Sequence, residues 1–130
     1  MLGESGLTKL EREMIAVTVS SENHCYYCIV AHGAAVREIS NDPQLGERIA
    51  ANFRSAELPL KQEKLLEFSK KLTRDSSEIK EQDRNELREV GYTDRDIWDI
   101  SAIVGMFNMT NRLASATEME PNENYHNMAR

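Results

Sequence analysis

Cys25 and Cys28, separated by two tyrosines and followed four residues later by His32, are the residues whose types and spacing can do chemistry in this chain. They are its only two cysteines. A cysteine in the first turn of a helix faces unpaired backbone amides and the positive end of the helix dipole, which favour the thiolate, the nucleophilic form. Two cysteines three apart share a helix face and can close a disulfide after a small adjustment. His32 lies on the same face, one turn after Cys28, where an imidazole can take the Cys28 proton directly or through one water. Glu13, twelve residues before Cys25, lies on the apolar side of the preceding helix beside Met14 and Ile15. A carboxylate aimed into a helix interface needs a partner, and His32 or the thiol pair is the nearest candidate; Glu13 would orient the histidine or relay the proton. The blander alternatives are buried cysteines acting as small hydrophobes, a packing histidine, and a solvated glutamate. Zinc is a further alternative, since Cys, Cys and His are good ligands. Structural zinc usually takes paired ligands from two separated segments, whereas here all but the distant His126 come from His24 to His32.

The elements that position these residues read as helices. With three prolines and six glycines in 130 residues, and apolar residues recurring at helical spacing, an all-α single domain is expected. Thr8 and Glu11 form a capping box that opens a helix reaching about Ser20. A second helix runs from near Cys25 to Ile39, so both cysteines fall in its first turn. Asp42-Pro43 predicts an N-cap and first position for a short helix through Phe53. Pro59 opens a fourth that carries Leu60 to Leu72, before the polar stretch Thr73 to Glu78. A charged surface helix follows over Lys80 to Val90, capped by Gly91 in a left-handed conformation. Thr93 caps the most apolar helix, which contains Ile97, Trp98, Ile100, Ile103, Val104, Phe107, Met109 and Leu113. Apolar on nearly all sides, it calls for burial all round and, in a chain this small, for a second subunit over part of it. The expected division is a helical domain over 1–120 and an extended arm over 121–130, with a last turn around Tyr125 to Met128.

The charge balance excludes several classes of function. Sixteen basic against 22 acidic residues give a net charge of −6, with both signs interspersed and no basic block, which argues against nucleic acid and anionic membranes. The longest apolar stretches, such as Ile103 to Met109, are far too short to span a bilayer, and the start shows no signal-peptide pattern. A cytoplasmic location is expected, where a cysteine pair is kept reduced and reads as catalytic or metal-binding rather than structural.

The run Glu13, Cys25-Tyr-Tyr-Cys28 and His32 resembles the signature of the carboxymuconolactone decarboxylase superfamily, specifically its AhpD-like alkylhydroperoxidase branch. The segments from Asn23 through Gly33, Gly91 to Ile97 and Phe107 to Ala114, and the ending Glu123 to Arg130, are similar to its peroxidase-related members. The likeness covers about residues 8 to 130. It implies an AhpD-like helical bundle and a homo-oligomer (dimer, trimer or hexamer) assembled through helices. It also implies a thiol-dependent hydroperoxide reductase with no cofactor, metal or flavin. Glu13, Cys25, Cys28 and His32 would be its proton relay and redox pair, acting on a small hydroperoxide and recycled by a lipoyl or thioredoxin-like dithiol protein. The helix dipole alone favours Cys25 as attacker, whereas the resemblance and the register of His32 favour Cys28. AhpD itself has a histidine where this chain has Tyr27, so one relay member is replaced. Longer relatives carry extra helices at the N-terminus, so part of the site or interface is expected from a neighbouring subunit. The decarboxylases of the superfamily generally lack the cysteine pair, which sets γ-lactone decarboxylation behind peroxide reduction. A redox sensor or disulfide-exchange protein without turnover is the rival from another class.

Overall fold

The structure, a computed structural model, describes residues 6–130. Residues 1–5, on which the expected start of the domain and the expected absence of a signal-peptide pattern fall, lie outside the described residues. The chain forms α1 (Lys9–Glu22), α2 (Tyr26–Ser40), α3 (Leu45–Asn52), α4 (Leu60–Arg74), α5 (Glu81–Glu89), α6 (Asp94–Ala116) and α7 (Glu123–Asn127). Single 3-10 turns at Phe53–Ala56 and Ser76–Glu78 complete it, with no strand among the described residues. The all-α expectation holds, and no described helix is long and apolar enough to cross a membrane.

Thr8 caps α1 as its spacing predicts. The Glu11 amide donates to Thr8 Oγ1 at 3.0 Å and the Thr8 amide to the Glu11 carboxylate at 2.9 Å. Glu11 is itself buried and also accepts from the Tyr92 hydroxyl, which ties the start of α1 to the turn before α6. The helix encased on all sides is α1, not α6: every residue from Glu13 to Ser20 is buried, with Met14, Ile15, Val17 and Val19 at the centre of the core. Around it pack α2, α3, α4 and α6. Its polar residues hid this from the apolar pattern, because they are satisfied inside; the Thr18 hydroxyl, for instance, donates to the Met14 carbonyl at 2.9 Å. One side of α6 stays outside, leaving Trp98 73%, Met109 58% and Leu113 59% exposed.

Helix starts depart from expectation at two places. Cys25 is the N-cap of α2, so only Cys28 lies inside its first turn. Asp42 does not cap α3: its carboxylate accepts from the Gln44 amide at 2.9 Å in a local turn, and the helix begins two residues later than the Asp-Pro pattern suggests. Gly91 does adopt positive φ, +107°, after α5, where the Tyr92 amide closes onto the Leu87 carbonyl at 3.1 Å. In residues 121–130 the expected last turn is present as a short helix, α7. The segment is held on α2 by buried Arg37, which donates to the carbonyls of Met128 at 2.9 Å and Tyr125 at 2.8 Å.

Candidate active site around the cysteine pair

The cysteines lie where the end of α1, the start of α2 and the last third of α6 converge. After α1 the chain reverses through Asn23 and His24, the latter exposed and in the left-handed region at φ 55°. The Cys25 amide then donates to the Ser20 carbonyl at 2.9 Å, which fixes the entry into α2. Both cysteines are free and buried, and their sulfurs are 2.6 Å apart. Ala114 of α6 completes their apolar surroundings and Tyr27 packs alongside. The sulfurs are thus adjacent and shielded, and small side-chain motion suffices to bring them to bonding distance.

His32 and Glu13 meet as a pair, with Nδ1 and a carboxylate oxygen 2.7 Å apart. Glu13 is buried, and the imidazole rests edge-on against Phe107 at a centroid separation of 5.0 Å. With Nδ1–H donated to the carboxylate, the basic lone pair of a neutral imidazole is on Nε2. No hydrogen bond joins His32 to Cys28 among the described residues. The structure therefore brings Glu13 to His32 and Cys25 to Cys28, and leaves the two pairs one helical turn apart on α2.

Burial, then the hydrogen bond to Cys25, pushes the Cys28 thiol up to about 11, while contacts with Asn111 and Ser20 oppose the rise. This runs against the thiolate expected from a helix start. The dipole effect is modest and confined to the first turn, whereas desolvation of a buried charge is larger. At neutral pH burial therefore favours the thiol over the thiolate, and a base would be needed for this sulfur to act as a nucleophile.

A polar network absent from the spacing arguments joins the end of α1, the turn after it and α6. The Asn111 carboxamide, 1% exposed, donates to Ser20 Oγ at 3.0 Å and accepts from Asn23 Nδ2 at 2.9 Å. Asn23 also donates to Asn108, whose own amide donates to the Val104 carbonyl, both at 2.9 Å, and Arg112 donates to Asn108 Oδ1. The available signal was two asparagines three apart among the apolar residues of α6, with a third just ahead of the cysteines. Among the described residues no three His, Cys, Asp or Glu side chains come together as a metal site. A cavity of about 520 Å³ between α4 and α5 is lined by Phe53, Lys64, Lys71 and Asp83 among others and contains none of Glu13, Cys25, Cys28 or His32.

Known proteins bear on this arrangement in three ways. The carboxymuconolactone decarboxylase family profile matches residues 1–75, which contain Glu13, both cysteines and His32. No functionally curated protein matches. Among solved structures, an uncharacterized peroxidase-related protein from Silicibacter sp. TM1040 is 62% identical, with a TM-score of 0.98. The alkylhydroperoxidase AhpD core of Ralstonia eutropha JMP134, also an uncharacterized peroxidase-related protein, is 44% identical at 0.97. In both cases all of this chain and 68% of the other are covered. Since the matched segment is the one that carries the cysteine and histidine chemistry, and the rest of the chain superposes on the same neighbours, this protein belongs to the carboxymuconolactone decarboxylase family.

Proposed function

We propose that the protein is a thiol-dependent hydroperoxide reductase of the alkylhydroperoxidase type. The observation that carries this reading is the pair of free sulfurs 2.6 Å apart beside a carboxylate-held imidazole. His32 takes the Cys28 proton, directly or through a water, and Glu13 stabilises the imidazolium. The thiolate sulfur attacks the distal peroxide oxygen. The O–O bond breaks, the departing alkoxide takes the proton from His32 and leaves as an alcohol, and Cys28 becomes a sulfenic acid. The sulfur of Cys25, losing its proton, attacks Cys28 and displaces the hydroxyl as water, giving the disulfide. An external dithiol, a lipoyl or thioredoxin-like protein, restores both thiols by exchange. Such recycling suits the reducing cytoplasm.

Homo-oligomerisation belongs to the same proposal. The exposed apolar face of α6, with Trp98, Met109 and Leu113, is of the kind a second copy covers.

Cysteine variants test the assignment. Cys28→Ser is expected to consume no hydroperoxide, whereas Cys25→Ser consumes one equivalent and stops at a sulfenic acid that a dimedone-type probe traps. Full turnover by the Cys28→Ser protein would contradict the reading. One observation favours a redox sensor instead: both cysteines are buried and the Cys28 thiol is raised, which suits slow, single oxidation. A sensor oxidises once even when dithiol is supplied.

A further inference from the structure

Arg37 on α2 is only 4% exposed, and a charged side chain sealed to that degree is ordinarily met by an opposite charge. Among the described residues no carboxylate lies within ion-pair distance of it, and Glu47, which lines the same cavity, is paired with Arg130. The guanidinium itself is half used. Nε–H and one Nη2–H, which point along one edge of the planar fork, donate to the carbonyls of Met128 at 2.9 Å and Tyr125 at 2.8 Å. The second Nη2–H and both Nη1 hydrogens find no acceptor among the described residues. Every sealed side-chain nitrogen and oxygen there does have a partner, so Nη1 opens onto free space. That space is a cavity of about 100 Å³ between α2, α3 and the C-terminal segment, with Ile29, Val30 and Gly33 in its wall beside Arg37. Within 4 Å, a Cβ built on Gly33 would meet only Arg37 Nη1, at 3.9 Å.

We propose that this cavity is a binding site for a small aliphatic monocarboxylate, whose two oxygens accept from the free Nη1–Nη2 edge of Arg37. That edge presents two parallel N–H groups at the spacing of a carboxylate, a match that a spherical halide cannot make. The volume limits the ligand. About 100 Å³ holds a few atoms the size of a water, so an acid of about two to four carbons fits and a nucleotide or a long-chain fatty acid does not. Ile29 and Val30 give the short tail an apolar wall. Because Arg130 already neutralises Glu47, the ligand's charge answers the one guanidinium that lacks a counter-ion. Arg37 follows Cys28 by nine residues, two and a half turns of helix, so the site lies on the far side of α2 from the sulfurs. It does not rest on the proposed function.

The test is calorimetric titration of the full chain with sodium propionate, with sodium phosphate and sodium chloride at matched ionic strength as comparisons. One propionate per chain is expected to bind, with a dissociation constant of about a millimolar or tighter, and phosphate and chloride about tenfold more weakly or worse. Arg37 is a poor position for the decisive substitution, because it also holds the C-terminal segment. Gly33→Ala is a better one. Its methyl enters the cavity beside Nη1 without touching backbone, and alanine favours the helix, so the variant is expected to be at least as stable as wild type yet to bind propionate roughly tenfold more weakly. Absence of saturable propionate binding by the wild type, equal affinity for phosphate, or undiminished binding by a folded Gly33→Ala protein would each overturn the proposal. Should that variant not fold, nuclear Overhauser contacts from propionate to the Ile29 and Val30 methyl groups of the wild type are the expected result, and their absence is the contrary one.

Discussion

His32 can serve as the base for Cys28 only if its Nε2 is the free nitrogen, and the bond from Nδ1 to Glu13 arranges that. Removing either partner should therefore slow peroxide attack at neutral pH, by on the order of a hundredfold for His32→Ala and less for Glu13→Gln, which keeps a hydrogen-bonding oxygen. Raising the pH should recover part of the loss, because the Cys28 thiol, held up near 11 by burial, ionises further without help as the solution approaches that value. Stopped-flow rates across pH check this, and pH profiles unchanged from wild type in folded variants would mean that the two residues only pack. Three of the candidate residues stood out because their spacing is a statement about helix faces: Cys28 and His32 are four apart, Cys25 and Cys28 three. Ser20, Asn23, Asn108 and Asn111 did not, since their meeting depends on how α6 crosses the α1–α2 corner, and no spacing within one segment encodes a crossing. The raised thiol was missed for a related reason, because the local dipole is visible in sequence whereas the burial that outweighs it is tertiary.

At the scale of elements, α2 and α3 approach each other closely at two glycines. A Cβ on Gly46 would lie 2.8 Å from the Gly33 carbonyl oxygen and 3.2 Å from its Cα, backbone that cannot swing aside. Gly46→Ala is accordingly expected to destabilise the fold by about 1–3 kcal/mol, read from the midpoint of urea unfolding, with the slope unchanged. A midpoint equal to wild type would mean that α3 can shift freely. Caps and glycines with a local signature were readable from sequence, as at Thr8, Thr93 and Gly91, because their hydrogen bonds close within a few residues. Asp42-Pro43 misled because the same carboxylate can close a turn or cap a helix, and the turn prevailed. Arg37 looked like one more charged residue near a helix end, yet it anchors the C-terminal segment through two carbonyls ninety residues away in sequence.

For the whole molecule, two buried acids set the behaviour at high pH. Burial raises the Cys28 thiol, and burial followed by the bond to Glu11 raises the Tyr92 phenol. Both folded groups keep their protons longer than the unfolded chain does, so their contribution is fully present below about pH 9 and is lost as pH rises through 11 and beyond. Thermal unfolding should show Tm falling steadily above pH 9, and less steeply in Tyr92→Phe; a Tm flat to pH 11 would contradict the burial of these groups. Light scattering addresses the exposed α6 face, where an oligomer is expected and a stable 14.8 kDa monomer at micromolar concentration would remove the second copy from the account. The reduction of hydroperoxide by the cysteine pair is tested most directly by the amount of organic hydroperoxide consumed per chain when a regenerating dithiol is supplied in excess. Consumption that continues linearly through many equivalents, and is absent in Cys28→Ser, is the predicted result; consumption that stops at one equivalent per chain, or proceeds equally without Cys28, would contradict it.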